Sequence, residues 1–107
     1  YDNGNERPVT GNPFSRAVRY EVDEAKMTVH QTFEYRTEVY TARFGSTQAL
    51  ANGNVLVCAG GVKDMSQAQI VEVSNDGKAL WTLTLQTAGQ GVYRAHRLSE
   101  GWPYLGD

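Results

Sequence analysis

Cysteine is nearly missing from this chain: Cys58 is the sole one in 107 residues. No internal disulfide can form, and without Cys-x-x-Cys or His-x-x-x-His spacing no structural metal is expected. Long apolar runs are missing too. The longest, residues 55–59, is far short of the roughly 18 residues that span a bilayer, and no charged-then-apolar leader stands at the start, so the chain reads as having no membrane segment. Nor is there an excess of positive charge. Ten basic against 12 acidic side chains leave a net charge of −2, with no Lys/Arg cluster to neutralise phosphates, which argues against nucleic acid as a partner. Helical periodicity is absent as well, and no helix longer than a turn or two is expected. The chain opens on Tyr1, an apolar residue directly ahead of a turn, and reads as a processed piece of something longer.

What is present is the two-residue alternation of half-buried strands. Residues 17–23 place Val18, Tyr20 and Val22 on one face and Arg19 and Glu21 on the other. Residues 27–35 oppose Met27, Val29, Phe33 and Tyr35 to Thr28, His30, Thr32 and Glu34. Residues 54–59 are apolar on both faces, as in a strand covered on both sides. Residues 68–73, 79–85 and 92–98 read as further strands. Between them lie Asp23-Glu24-Ala25-Lys26, Ala51-Asn52-Gly53-Asn54 and Asn75-Asp76-Gly77-Lys78, whose Asn, Asp and Gly suit tight hairpin turns.

The sequence also repeats. Laying residues 15–23 over 66–74 superposes Ser15 on Ser66, Ala17 on Ala68, Glu21 on Glu72 and Val22 on Val73, and after a one-residue slip Lys26 on Lys78 and Thr32 on Thr84. A period of about 40 to 50 residues made of strands alone points to the four-stranded antiparallel blades of a β-propeller. The expected fold is thus all-β, divided into a partial blade at 1–43 (end of a second strand, third and outer strands), a complete blade at 44–90 with inner strand 44–50, and a further inner strand and tail at 91–107. About one blade and parts of two others cannot close a ring of at least roughly four. Uncovered strand edges recruit other chains, so self-association is expected.

The ordered series Tyr1-Asp2-Asn3-Gly4-Asn5, then residues 15–24 (SRAVRYEVDE), Met27-Thr28-Val29, Ala51-Asn52-Gly53-Asn54 and Tyr93-Arg94-Ala95-His96-Arg97 resembles the C-terminal part of the arylsulfotransferases. The resemblance implies a six-bladed propeller that moves a sulfuryl group from an aryl sulfate to a phenol, with no nucleotide sulfate donor or other cofactor. It also implies a histidine nucleophile carrying the group as a sulfohistidine, which splits one hard transfer into two easier ones. In the family that histidine precedes the Asp-Asn-Gly segment, so no catalytic nucleophile is expected within this chain. Bacterial family members are periplasmic or secreted, and the same location follows here if the chain resembles them in this too.

Several residues are candidates for holding the sulfate. Arg94 offers a forked pair of donors. His96, beside Tyr93, Arg94 and Arg97, can exchange a proton or steady an anion. Ser46, Thr47 and Gln48 open the inner strand, where the resemblance implies polar groups facing the bound ester. His30 lies among Thr28, Thr32 and Glu34 on an outer strand and reads as a solvated surface residue. Cys58, inside the most apolar strand, reads as a small buried hydrophobe, and Trp81, Phe33 and Tyr35 as blade-to-blade packing. Gly89-Gln90-Gly91 lacks the third glycine and helix of a dinucleotide loop, and the Asp2-Asn3-Gly4-Asn5-Glu6 run is a turn, since its glycine comes too early for a calcium loop. The alternative function is a non-catalytic propeller fragment that binds protein or carbohydrate or pairs with itself.

Overall fold

The computed structural model describes residues 1–7 and 11–98. Six strands, β1 (Arg16–Asp23), β2 (Thr28–Arg36), β3 (Ser46–Ala49), β4 (Val55–Val62), β5 (Gln67–Val73) and β6 (Ala79–Gln86), make up the regular structure, and no helix occurs among the described residues. The fold is all-β. Each strand pairs antiparallel with its chain neighbour, giving a two-stranded sheet β1-β2 and an open four-stranded sheet β3-β4-β5-β6, an arrangement compatible with partial propeller blades.

The turns form where Asn, Asp and Gly stand together. In the β3–β4 turn Gly53 takes φ +88°, and Asn52 Oδ1 accepts from Asn54 N at 3.0 Å. In the β5–β6 turn Gly77 takes φ +89° and donates its N–H to Ser74 O at 2.9 Å. Both need the left-handed backbone that a side chain disfavours. The β1–β2 turn has no glycine. Met27 itself adopts φ +53°, and Asp23 Oδ1 steadies the turn by accepting from Lys26 N at 3.0 Å.

The core lies between the two sheets. Ala17 and Phe33 from the hairpin meet Val55, Val57, Val71 and Val73 from the larger sheet, with Tyr1 and Tyr35 packed at its margin. β4 is buried on both faces, as its apolar sequence requires, because Leu56 and Cys58 are covered as fully as Val55 and Val57.

Three details depart from the sequence reading. First, the buried side of β1 is that of Ala17, while Val18, Tyr20 and Val22 face away from the core, Val22 being 65% exposed. Second, the alternation in β2 does not run through. Tyr20 pairs with Gln31 but Arg19 with Phe33, so Thr32 is an extra residue in a β-bulge. A one-residue insertion flips every following side chain to the other face, which buries Phe33 while Val29 stays exposed. Third, the inner strand is shorter than residues 44–50, because Phe44 and Gly45 at φ +62° and +157° turn the chain before Ser46.

Residues 92–98 form no strand. A strand requires a neighbouring backbone to complete its ladder. Beyond Val92, whose N–H reaches Gly60 O, this segment meets side chains: Ser46 Oγ accepts from Ala95 N at 3.2 Å, and Gln48 both accepts from Arg97 N at 2.7 Å and donates to Arg97 O at 3.0 Å. The part of the 91–107 assignment that falls on 99–107 lies outside the described residues.

Candidate functional site

The contacts that hold residues 91–98 against β3 and the end of β4 build the site. Val92 N donates to Gly60 O at 2.7 Å and Gly91 N to Met65 O at 3.0 Å. The approach at Gly60 is so close that a Cβ there would overlap the carbonyl oxygen of Val92; only glycine admits it. Beyond that point the rings of Phe44 and Tyr93 meet edge to face, 5.5 Å between centroids at 73°. Further along, Arg97 Nη2 donates to Glu72 Oε2 at 2.7 Å.

Glu72 is the electrostatic centre of this contact. Its buried carboxylate also accepts from Trp81 Nε1 at 2.8 Å and from Asn54 Nδ2 at 2.9 Å, with Asn52 Nδ2 at 3.4 Å. Arg97 foremost, then Asn54 and Trp81, hold its pKa down at about 2, and Glu72 in turn raises that of Arg97. Each donor stabilises the ionised form, so the group stays charged although little of it meets water. The sequence reading passed over Glu72. Its signal was a carboxylate inside the apolar run Ile70-Val71-Glu72-Val73, which a strand tolerates only when the charge is paired.

The candidate sulfate ligands fall into two groups. Arg94 and His96 are both exposed. Arg94 lies 5.9 Å over the ring of Tyr93 and makes no ion pair among the described residues. Ser46 and Gln48 are occupied in holding residues 95–97. Thr47 is exposed on the other face of β3, beside a shallow cavity of about 180 Å³ that Ala17, Phe33 and Val55 also line. Arg94, His96 and Thr47 are all exposed, and no hydrogen bond or ion pair joins them among the described residues.

His30 is exposed on the hairpin, paired in register with Glu21. Cys58 is fully buried, and burial pushes its thiol pKa up against a hydrogen bond with Ser46 that lowers it. A protonated buried thiol is a poor nucleophile.

The Asp2-Asn3-Gly4 segment ties the fold together. Asn3 Nδ2 donates to Thr41 O at 2.7 Å and to Phe44 O at 3.1 Å. The buried Ser15 hydroxyl donates to Asn3 O at 2.9 Å and accepts from Thr41 N at 2.9 Å. Asp2 accepts from Arg7 at 2.7 Å and Arg16 at 2.8 Å, and the Arg16 bond is the main cause of its lowered pKa. These oxygens are spent within the protein. Among the described residues no group of three or more His, Cys, Asp or Glu is placed to hold a metal, and no helix is long and apolar enough to cross a membrane.

Two open antiparallel sheets, with a non-strand segment carrying an exposed arginine and histidine bound to β3 by side chains, define an all-β chain. Residues 1–94 match the family described as arylsulfotransferase (ASST), and the chain belongs to that family. Membership implies aryl sulfates as donors and phenols as acceptors. No match was found among curated proteins or among solved structures.

Proposed function

We propose that these residues form the C-terminal blades of a propeller that transfers a sulfuryl group from an aryl sulfate to a phenol. In this reading β3 to β6, within 44–90, are one whole blade, β1 and β2 the third and outer strands of the blade before it, and residues 91–98 the start of the next. Two equivalent closures support it: Thr37 N donates to Ser15 O at 3.0 Å and Thr87 N to Ser66 O at 2.9 Å, at the serines that the repeat superposes. In both hairpins the alanine two residues beyond that serine, Ala17 or Ala68, is buried.

The observation that carries the functional reading is Arg94, a guanidinium free of any carboxylate among the described residues, next but one to His96 on an exposed face. Two parallel N–H donors match two oxygens of a sulfate ester. The carrier histidine is supplied from outside these residues. His30 sits on the far hairpin, and His96 has no hydrogen-bond partner among the described residues to orient it as a nucleophile.

In the first half-reaction the ester S–O bond breaks and an N–S bond forms, releasing a phenol that gains a proton. In the second, the N–S bond breaks and a new S–O bond forms to the acceptor phenol, which loses its proton as the carrier histidine is regenerated. Arg94 holds sulfate oxygens in both, and His96 exchanges the proton or adds a donor. Ser46 acts through Ala95, fixing the segment that carries both.

The test is release of a coloured phenol from its sulfate by the complete protein in the presence of a second phenol. Release that depends on the acceptor supports the reading. No release with any donor would favour a binding module.

A further inference from the structure

Where the chain passes from β4 to β5, the backbone takes a course that side chains resist. Lys63, Asp64 and Met65 stand at φ +48°, +54° and +72°, three consecutive left-handed residues, a conformation that residues with a Cβ visit singly and not in runs. The other two turns of the same sheet place Gly53 and Gly77 in this region; here three side chains are kept. The surroundings impose the turn. Ser66 donates both its N–H, at 3.1 Å, and its hydroxyl, at 2.7 Å, to Lys63 O, while Met65 O accepts from Thr87 Oγ1 at 2.6 Å and from Gly91 N at 3.0 Å. Strain of this kind persists only where neighbouring bonds over-determine it, and it collects at sites that hold ligands.

The turn borders a cavity of about 610 Å³, lined also by Tyr40, Ala42 and Arg43 from the stretch that leads into β3. Met65 is seated between two glycines: a Cβ at Gly61 would lie 2.7 Å from its Sδ, and one at Gly91 would lie 2.7 Å from its Cε. Tyr40 is fixed as well. Its hydroxyl donates to Asn5 Oδ1, and Asn5 Nδ2 donates to Ala42 O at 2.9 Å. Arg43, Lys63 and Asp64 make no ion pair among the described residues. Two cations against one carboxylate leave the cavity with an excess of positive charge.

We propose that this cavity binds an aromatic anion, with its charge held by Arg43 and Lys63 and its ring against Tyr40 and the Met65 thioether. A polarisable sulfur and an aromatic ring favour a flat apolar body, and the two cations select a negative group. The volume lies within the range of small-molecule sites. Neither histidine nor cysteine lines the cavity, so the ligand is held there and not transformed. Arg94, His96, Ser46 and Thr47 are absent from its lining, and the proposal therefore does not rest on the transfer reading.

The chain has two methionines, and Met27, 87% exposed beside the β1–β2 turn, serves as an internal control for Met65. Benzenesulfonate titrated into the full chain carrying methyl-labelled methionine is expected to shift the Met65 methyl resonance saturably and to leave that of Met27 in place. Inorganic sulfate supplies the charge without the ring and benzyl alcohol the ring without the charge; each should bind at least about fivefold more weakly. Arg43→Gln and Lys63→Gln should each weaken benzenesulfonate about threefold or more, and Asp64→Asn should tighten it. All three side chains are exposed, and amide signals of Val57 and Val71 check that the variants remain folded. Arg94→Gln should leave the Met65 titration unchanged, whereas loss of the titration in that variant would place the anion at the transfer site and overturn the proposal. An unmoved Met65 signal, equal shifts at both methionines, sulfate binding as tightly as benzenesulfonate, or indifference to both Arg43→Gln and Lys63→Gln would each overturn it as well.

Discussion

Glu72 makes the charge on one side chain a determinant of how residues 92–98 are held. Its folded pKa of about 2 lies below the ordinary 4.5 because Arg97, Asn54 and Trp81 donate to the ionised form. The sign follows from linkage: a depressed carboxyl contributes stability that is full above about pH 4.5 and is lost as pH falls towards 2. Urea midpoints of the wild type and Glu72→Gln should therefore differ most near neutrality and converge as the solution is acidified through that window. A difference that does not change with pH would mean that shape and not charge matters at this position. Ser15 allows a prediction with no pH term. It is fully buried and its Oγ is the acceptor for Thr41 N, so Ser15→Ala strands a buried donor and should cost about 1–3 kcal/mol in urea unfolding. Ser66, its counterpart in the repeat, is partly exposed and donates to Lys63 O. Ser66→Ala should cost roughly 0.5 kcal/mol or less.

Among the elements, the 91–98 segment depends on Gly60 and on β3. Gly60→Ala would press a methyl group into the carbonyl of Val92. Since that neighbour is backbone, the expected result is displacement of the segment, at about 1–3 kcal/mol, read as faster amide exchange at Val92, Ala95 and Arg97 with β5 unaffected. Unchanged exchange at those three amides would show that Ser46, Gln48 and Arg97 hold the segment without the close approach at Gly60. Strands and turns were legible because alternation and Asn-Gly or Asp-Gly pairs act locally: β4 announced its double burial through the apolar run 55–59, and the turns at Gly53 and Gly77 fell where their residues demanded. The bulge at Thr32 was not legible, because an inserted residue leaves the composition of β2 unchanged and is settled by which of Val29 and Phe33 the opposing sheet can bury. Residues 92–98 carry a strand-like pattern, but a ladder depends on a second backbone that local sequence does not specify. For the candidate site, Arg94 and His96 stand out in the sequence by their chemistry, and the structure adds that both are exposed. The use of Ser46 and Gln48 as clamps could not be read from the sequence, since it depends on a contact between positions about 49 residues apart.

At the scale of the whole molecule, transfer demands that an aryl sulfate bring its charge against a surface supplied with donors, and in the proposed reading Arg94 is the donor from these residues. Charge-assisted hydrogen bonds contribute roughly 1.5–3 kcal/mol each, and each 1.36 kcal/mol is a factor of about ten in rate. Arg94→Lys in the complete protein keeps the charge but replaces a planar fork by a single ammonium, so kcat/KM for an aryl sulfate should fall about tenfold or more. Arg19→Lys is the control. That guanidinium lies 5.6 Å over the Phe33 ring and donates to Asn75 Oδ1 at 3.4 Å, both within the chain's own packing, so its replacement should change stability slightly and turnover little. His96→Ala in the same protein separates proton exchange from sulfate binding. If His96 exchanges the proton, kcat should fall with KM nearly unchanged, and poorly leaving phenols should suffer more than good ones, because a weakly acidic leaving group depends most on a proton donor. Equal and small losses for Arg94→Lys and Arg19→Lys would remove Arg94 from the sulfate site and leave residues 92–98 as a joint between neighbouring sheets.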